Sequence, residues 1–289
     1  MITAHPTALR LAVMAMGTRF ELVLPSEGDR STADLRAAGE AALLEIEEAD
    51  KRLSLFRADS LLSLVNRRAF ARPVGLDGET LELLTLALGV YSKSRGVFDI
   101  TVAPLMGARG LHGAGSSAAP GRRVAGSGAI ILDQRAGSVR FTDPACALDL
   151  GAIAKGHALD LAARSLGEEG VQRALLHGGT STVLALAPPE GQDAWRISLA
   201  QAPDAAPVEL CQGALSVSSG AGRLAPDGSG HVLDPRTGQA VATDAFSAVL
   251  APSATLADAW STALLVEPDL DLGSSPISPI QTTALTTTT

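Results

Sequence analysis

The residues best suited to chemistry include an aspartate and a threonine four positions apart, Asp258 and Thr262, in a mostly apolar segment that follows Ser253. Side chains at this spacing lie on the same face of an α-helix. A carboxylate and a hydroxyl are hard oxygen ligands, which suit Mg²⁺ when carbonyls, water and phosphate oxygens complete the shell. The two residues alone still favour a structural explanation, in which each side chain is satisfied by a local hydrogen bond.

A second candidate is the segment from Asp149 to Asp160, where a strand-like stretch passes through a turn at Gly151 into a helix. Free N–H groups at a helix N-terminus attract anions, and Lys155 adds a positive charge in the first turn. These residues could therefore bind a phosphate group. An ordinary strand-to-helix connection with a solvated lysine explains them equally well.

A third candidate is His231, which is followed by a turn-forming segment from Asp234 to Gly238 and is predicted to lie on the strand leading into that turn. Histidine could accept a proton near neutral pH, although a lone histidine is more often structural. The glycine-rich dinucleotide and P-loop signatures are absent from the sequence, as are H-E-x-x-H and G-x-S-x-G.

Composition narrows the function classes further. The chain has 289 residues and a formal net charge of -8, which argues against nucleic-acid binding and predicts one large domain or two intimately packed ones. An anionic ligand then needs locally placed donors or a metal ion. The chain as written starts without an apolar run of signal-peptide length, which predicts a cytoplasmic protein; a removed leader would indicate a periplasmic protein or an inner-membrane lipoprotein.

The elements that must position the candidates follow from periodicity and turn signals. Residues 10–25 predict a strand pair or a bent strand, 32–53 and 78–93 predict helices, and 106–128 predict a surface loop. A hairpin is expected over 129–132 and 139–142, and a strand, helix, strand crossover over 147–150, 153–168 and 171–176. Further strands are expected at 183–186, 195–199, 215–218 and 245–250, a helix near 253, and disorder over 273–289.

These blocks, with three others, resemble the ApbE family of FAD:protein FMN transferases. Met16-Gly17-Thr18, the stretch from Ser54 to Asn66 and the stretch from Gly96 to Leu105 are similar to the family's motifs, and all six blocks occur in the family's order over about residues 14–266. The resemblance implies an α+β fold with mixed and antiparallel sheets, flanking helices and a T-fold-like core. It also implies one domain over 1–266, which can consist of two packed subdomains. The Ser, Thr and Pro composition predicts a low-complexity, disordered tail over 267–289.

The resemblance further implies the site and the reaction. A Thr or Ser hydroxyl of an acceptor protein attacks the FMN-side phosphorus of the substrate FAD, AMP leaves, and Mg²⁺ and Lys155 neutralise the developing charge. His231 is the hypothesised proton acceptor, and His231, Lys155 and Asp258 are the expected catalytic residues. Asp258, Thr262 and the carbonyl of Ala152 are the expected Mg²⁺ ligands. The expected flavin contacts are Met16, Phe56, Ser60, Asn66, Asp99, Thr101, Lys155 and His231.

Departures from the family pattern leave two alternatives open. No acid follows the Gly178-Gly179 pair, Phe56 stands where a tyrosine is frequent, and the chain turns into Ser, Thr and Pro after the Asp258 helix. One alternative is an FAD pyrophosphatase, in which water replaces the acceptor hydroxyl. The other is a catalytically impaired flavin-binding protein.

Overall fold

The computed structural model describes residues 8–26, 28–112, 116 and 124–280. Its strands are β1 Leu9–Ala15, β2 Thr18–Leu24, β3 Val74–Gly75, β4 Ile130–Asp133, β5 Ser138–Phe141, β6 Leu175–Gly178, β7 Thr182–Ala185, β8 Trp195–Ile197, β9 Val208–Leu210, β10 Gly213–Ser219, β11 Phe246–Ala251 and β12 Ser278–Ile280. Its helices are α1 Thr32–Leu53, α2 Leu61–Arg68, α3 Gly78–Lys93, α4 Ala103–Ala108, α5 Ala154–Glu168 and α6 Ala254–Val266. A short 3₁₀ turn spans Ser127–Ala129.

The main sheet has seven strands in the order β1-β2-β6-β7-β10-β11-β12, and each neighbouring pair is antiparallel. Strands β3, β5 and β4 form a second sheet, and β8 pairs with β9. Helices α1, α5 and α6 pack together against the main sheet. The expected α+β fold with antiparallel sheets and flanking helices is confirmed.

Alternating side chains give the main sheet two apolar faces. On one face, Leu22 and Leu24 of β2 share a buried cluster with Ile46 of α1. On the other face, Val23 clusters with Trp195 of β8. Because both faces are covered, the central strands β7 and β10 provide a rigid support for any residue they present to α6.

Local sequence signals determine most of the helices. The predictions of helices over 32–53 and 78–93 are confirmed, and a helix begins at Ala254 as expected. Helices α1, α3 and α6 each follow a side-chain cap, provided by Ser31, Asp77 and Ser253 respectively. A capping oxygen accepts a hydrogen bond from a free N–H of the first turn, which explains where these helices start. Within the described residues, no helix is long and apolar enough to cross a membrane.

The strand predicted over 147–150 is wrong. Leu148 is fully buried, but its backbone pairs with a side chain, because Asn66 Oδ1 accepts from Leu148 N (2.7 Å) and Asn66 Nδ2 donates to Leu148 O (3.0 Å). Asp149 N donates to the carbonyl of Ile100 (2.8 Å). An amide side chain thus satisfies the backbone groups that a neighbouring strand would otherwise satisfy.

Other boundaries differ as well. The strand predicted over 171–176 lies at Leu175–Gly178. His231, which was predicted to lie on a strand, lies in a bend outside the named strands. Helix α4 and the 3₁₀ turn occupy the ends of the loop predicted over 106–128, and residues 113–115 and 117–123 of that loop lie outside the described residues. The prediction of disorder over 273–289 is wrong for β12, because this strand pairs with β11. Residues 281–289 of that segment lie outside the described residues.

Candidate functional site

A cavity of about 740 Å³ opens where the tip of the β1–β2 hairpin, the start of α5, the end of β10 and α6 converge. This volume lies within the range of small-molecule sites, roughly 300–1,000 Å³. Eight of the residues predicted from the sequence line it, namely Met16, Phe56, Asp99, Ala152, Lys155, His231, Asp258 and Thr262. The fold therefore brings together blocks that are far apart in the sequence.

Asp258 is only 3% exposed, and both of its carboxylate oxygens accept hydrogen bonds. Its Oδ2 accepts from the backbone N–H of Gly156 (3.1 Å) and from Lys155 Nζ (3.4 Å). Its Oδ1 accepts from Thr182 Oγ1 (3.3 Å) and Ser216 Oγ (3.2 Å). A buried carboxylate needs such partners, because an unpaired buried charge is very costly.

Thr262 lies one helical turn after Asp258, as the sequence predicted, and lines the same cavity. Its hydroxyl donates to the carbonyl of Asp258 (3.2 Å) and lies 3.2 Å from Ser218 Oγ. The local hydrogen bond that the structural explanation required is therefore present. A hydroxyl that donates in this way keeps its lone pairs for a ligand, so the bond does not exclude a role in binding.

Helices α5 and α6 cap each other through two aspartates. Asp160 of α5 accepts from Ala254 N and Thr255 N at the start of α6, both at 2.9 Å, while Asp258 of α6 accepts from Gly156 at the start of α5. Burial raises the pKa of Asp160, and the hydrogen bonds from Thr255 and Ala254 oppose that rise. A Cβ at Gly156 would lie 2.2 Å from the carbonyl oxygen of Ala254, so this close crossing requires glycine.

Lys155 is the most exchangeable of the groups that contact Asp258. Its side chain is 23% exposed, and its ammonium lies 3.3 Å from the carbonyl oxygen of Gly151 and 3.4 Å from Asp258 Oδ2. Both distances are long for a hydrogen bond to a charged group. The ammonium can therefore turn towards an anion in the cavity at little cost.

His231 is held in one tautomer by its neighbour. The backbone N–H of Arg223 donates to His231 Nδ1 (3.2 Å), so the proton of a neutral ring is on Nε2. Burial, followed by the positive charge of Arg223, keeps the pKa of His231 below its ordinary value. A neutral His231 can therefore donate through Nε2, and this hydrogen bond argues against the proton-acceptor role hypothesised from the sequence.

Sequence reasoning missed a second imidazole on the cavity wall. His112 Nε2 lies 2.8 Å from Asp149 Oδ2, and the ring of Phe56 packs edge-to-face on the His112 ring with centroids 5.9 Å apart. Burial acts to raise the pKa of Asp149, but His112, the backbone N–H of Gly151 and Arg223 together outweigh it and lower that pKa. The sequence offers no spacing signal for this pair, because 37 positions separate the two residues.

Arg223 was also missed, although it lines the cavity beside His231. Its Nη2 donates to the carbonyl of Leu111 (2.6 Å), which ties the segment after β10 to the residue before His112. Lys155 and Arg223 together place two positive charges on the cavity wall. The wall can therefore attract an anionic ligand despite the negative net charge of the chain.

Three predicted flavin contacts do not line the cavity. Ser60 caps α2 by accepting from Ser63 N (3.0 Å), and Asn66 pairs with the backbone of Leu148. Thr101 is fully buried and donates to Asp99 Oδ1 (2.8 Å). These side chains are occupied in maintaining the fold, which explains why similar motif residues need not contact a ligand.

The hairpin tip presents Met16 to the cavity in a conformation that is uncommon for methionine. Met16 and Gly17 have φ values of 49° and 72°, and they form the two-residue connection between β1 and β2. Positive φ at both central residues matches a tight hairpin turn that favours Asn-Gly or Gly-Gly. A methionine held there is the kind of local strain that clusters at functional sites.

The chemistry of the donor set is compatible with Mg²⁺. Asp258 and Thr262 present oxygen atoms beside the Ala152 segment, and Mg²⁺ prefers such hard ligands together with water and phosphate. The described residues contain no group of three or more His, Cys, Asp or Glu side chains that could hold a metal. A cation at Asp258 would therefore depend on hydroxyl, carbonyl, water and substrate oxygens.

A partly enclosed cavity with convergent polar groups and two positive charges defines the chain as a protein suited to binding a small anionic ligand. The model of the ApbE family matches residues 16–272. This chain belongs to the ApbE family, so the resemblance seen in the sequence motifs is confirmed.

Individual relatives agree with the family match. The FAD:protein FMN transferase of Klebsiella pneumoniae (strain 342) is 29% identical over 279 residues, which cover 90% of this chain and 79% of the relative. The FAD:protein FMN transferase of Salmonella typhimurium (strain LT2) is 28% identical over 286 residues, covering 91% and 80% respectively.

Solved structures show the same fold. The ApbE protein of Thermotoga maritima MSB8 superposes with a TM-score of 0.78 at 26% identity, covering 90% of this chain and 87% of that one. The apo form of the Pseudomonas stutzeri flavinyl transferase ApbE superposes with a TM-score of 0.74 at 28% identity, covering 90% and 84%.

Proposed function

We propose that this protein transfers FMN from FAD to a Thr or Ser hydroxyl of an acceptor protein, with release of AMP, in a Mg²⁺-dependent reaction. The observation that carries the proposal is the cluster of Lys155, Asp258 and Thr262 on one cavity wall, in a chain whose relatives are named FAD:protein FMN transferases. The new bond joins the acceptor oxygen to the FMN-side phosphorus, and the phosphorus–oxygen bond to AMP breaks.

The cavity residues have different roles in this reaction, according to their charge. Asp258, Thr262 and the Ala152 carbonyl would hold Mg²⁺, which when bound supplies positive charge to the diphosphate oxygens. In the described structure four donors contact the Asp258 carboxylate, about as many as its lone pairs accept. Lys155 would leave Oδ2 when this carboxylate holds a cation, which would free its ammonium to bind the diphosphate.

Two imidazoles on the described cavity wall have opposite hydrogen-bonding roles. His231 donates through Nε2, because its Nδ1 accepts from Arg223. Asp149 accepts from His112 Nε2, so the basic nitrogen of His112 is Nδ1, which lies 3.5 Å from Ser116 Oγ. We therefore assign two roles. His112 accepts the proton of the acceptor hydroxyl, and His231 donates a hydrogen bond to the ligand.

The decisive experiment combines the purified protein, FAD, Mg²⁺ and a threonine-containing acceptor protein, with the Thr→Val variant of that acceptor as control. We expect an FMN mass increment on the threonine protein alone, with one AMP released per increment. Release of FMN and AMP without modification would identify a pyrophosphatase. Bound flavin without any AMP would identify a flavin-binding protein, and either result would overturn the transferase proposal.

The roles of the two imidazoles are separated by their effects on kcat and KM. We expect His112→Gln to lower kcat about 10²-fold, as loss of a general base does. His231→Gln should instead raise KM for FAD and leave kcat within about threefold of the wild type. A fall in kcat of about 10²-fold in His231→Gln alone would reverse the assignment.

A further inference from the structure

The oxygens of five hydroxyl groups lie in a continuous row of short contacts beside Asp258. The row runs Thr182–Ser216–Ser261–Ser218–Thr262, with oxygen–oxygen distances of 3.1, 3.3, 2.8 and 3.2 Å. Thr182 and Ser216 also contact Asp258 Oδ1. We call these five residues the hydroxyl chain; it begins at one proposed cation ligand and ends at the other.

Three members of the hydroxyl chain are out of reach of a substrate. Thr182, Ser216 and Ser261 have no exposed surface, and Thr182 and Ser216 lie on the neighbouring central strands β7 and β10. An apolar residue at such a position would avoid the cost of burying a hydroxyl, which is about 1–3 kcal/mol when it is unsatisfied. Hydroxyls in this place therefore require an explanation beyond packing.

The direction of the protons supplies that explanation. Thr182 and Ser216 donate to Asp258 Oδ1, and Ser261 and Thr262 donate to the Asp258 carbonyl at 3.0 and 3.2 Å. Ser218 lies nearest to Ser261, so its proton is directed away from Thr262. Each hydroxyl has one proton to give, and this assignment uses all of them. The Thr262 oxygen keeps free lone pairs beside a carboxylate of fixed orientation.

We propose that Thr182 and Ser216 are positioning residues that pre-set the Asp258 carboxylate to bind a divalent cation before any substrate enters. This inference rests on the proposed Mg²⁺-dependent function, and it concerns residues that touch neither cation nor substrate. Hydrogen bonds to ligating carboxylates are known to change metal affinity by 10- to 100-fold when they are removed.

The test measures Mn²⁺ binding to the free protein by electron paramagnetic resonance, because Mn²⁺ accepts the same oxygen ligands as Mg²⁺. The variants are Thr182→Val, which keeps the shape of the side chain, Ser216→Ala, and Thr182→Ser, which keeps the hydroxyl. Ser247→Ala is the matched control, since Ser247 is a buried serine on the adjacent strand β11 outside the hydroxyl chain.

We expect Thr182→Val and Ser216→Ala to weaken Mn²⁺ binding about tenfold, with Thr182→Ser and Ser247→Ala within about twofold of the wild type. Rescue by Thr182→Ser distinguishes positioning from packing, and Ser216→Ala decides the matter if Thr182→Val does not fold. Wild-type affinity in both hydroxyl-deletion variants would overturn the proposal while leaving the proposed function intact. Equal Mn²⁺ binding by wild type and Asp258→Asn would instead remove the cation site itself, and the inference with it.

Discussion

Asp258 and Asp99 were both predicted from the sequence as site residues, and both are almost completely buried, yet their surroundings differ. Asp99 accepts from Thr101 N and Oγ1, each at 2.8 Å, and from Ser127 N and Oγ, at 3.2 and 2.7 Å. These donors belong to short loops of the fold itself. Asp258 instead shares its carboxylate between fixed hydroxyls and the ammonium of Lys155.

The difference teaches that burial and hydrogen-bond number do not identify a functional carboxylate. The Ser127 partners of Asp99 join the turn near residue 100 to the 3₁₀ turn at Ser127–Ala129. The Lys155 partner of Asp258 is a half-buried side chain at the cavity, so we expect its departure to leave the fold intact and to free an oxygen of Asp258. A carboxylate can act on a ligand when at least one of its partners can be exchanged.

The largest expected effect comes from replacing Asp258. Asp258→Asn removes the charge that holds Lys155 and the proposed cation, so kcat/KM for FMN transfer should fall about 10³-fold. Steady-state kinetics with FAD as the varied substrate measure the loss. A fall of less than tenfold would break the comparison, because Asp258 would then be as structural as Asp99.

The next largest expected effect is a loss of stability at low pH, which we attribute to His157 of α5. His157 is buried, its Nε2 has no hydrogen-bond partner among the described residues, and burial lowers its pKa to about 4. The folded state stays neutral while the unfolded chain takes up a proton below about pH 6.5. Stability is therefore lost as the pH falls from about 6.5 towards 4, by about 3 kcal/mol in total.

The contribution of His157 is isolated by His157→Leu, which cannot titrate. Urea unfolding of both proteins between pH 7 and pH 4 should give a difference in the free energy of unfolding that grows in favour of the variant. If the free energies of unfolding of the two proteins change in parallel with pH, His157 does not remain neutral in the folded state. A buried group without exchangeable partners could then still be charged.

A smaller loss of stability is expected at Asp99. Asp99→Asn weakens four hydrogen bonds to two short turns, so the free energy of unfolding should fall by about 2 kcal/mol. Because those partners are structural, kcat/KM of the folded variant should stay within about threefold of the wild type. Urea denaturation and steady-state kinetics on the same sample give both numbers, and a large kinetic loss without a stability loss would invert the comparison with Asp258.

The smallest effect sharpens the idea of an exchangeable partner. Lys155→Met removes the ammonium that occupies Asp258 Oδ2, so Mn²⁺ should bind the free protein about fivefold more tightly while FAD binds more weakly. Arg223→Met is the matched control, since it removes a cavity charge whose described hydrogen bond goes to Leu111 and not to Asp258. If both variants tighten Mn²⁺ equally, the effect is one of general charge and not of exchange at Oδ2.

Much of the fold follows from local sequence patterns. Helices α1 and α3 could be placed from apolar periodicity and side-chain caps, and the β1–β2 hairpin from its Gly17 break. The segment over 147–150 could not, because its backbone partners are the Asn66 amide and the Ile100 carbonyl. A burial pattern reports that a segment is covered, but it does not say which groups cover it.

The sequence by itself determined the residue types and the spacing of Asp258 and Thr262 on one helical turn, since both depend on helix geometry alone. The tertiary structure decided what surrounds them, because Lys155 and Thr182 lie 103 and 76 positions away from Asp258 in the chain. It likewise decided that Asp160 caps α6 and that His112 meets Asp149. Hydrogen bonds across such distances depend on how helices and strands pack, and periodicity within one segment carries no record of that packing.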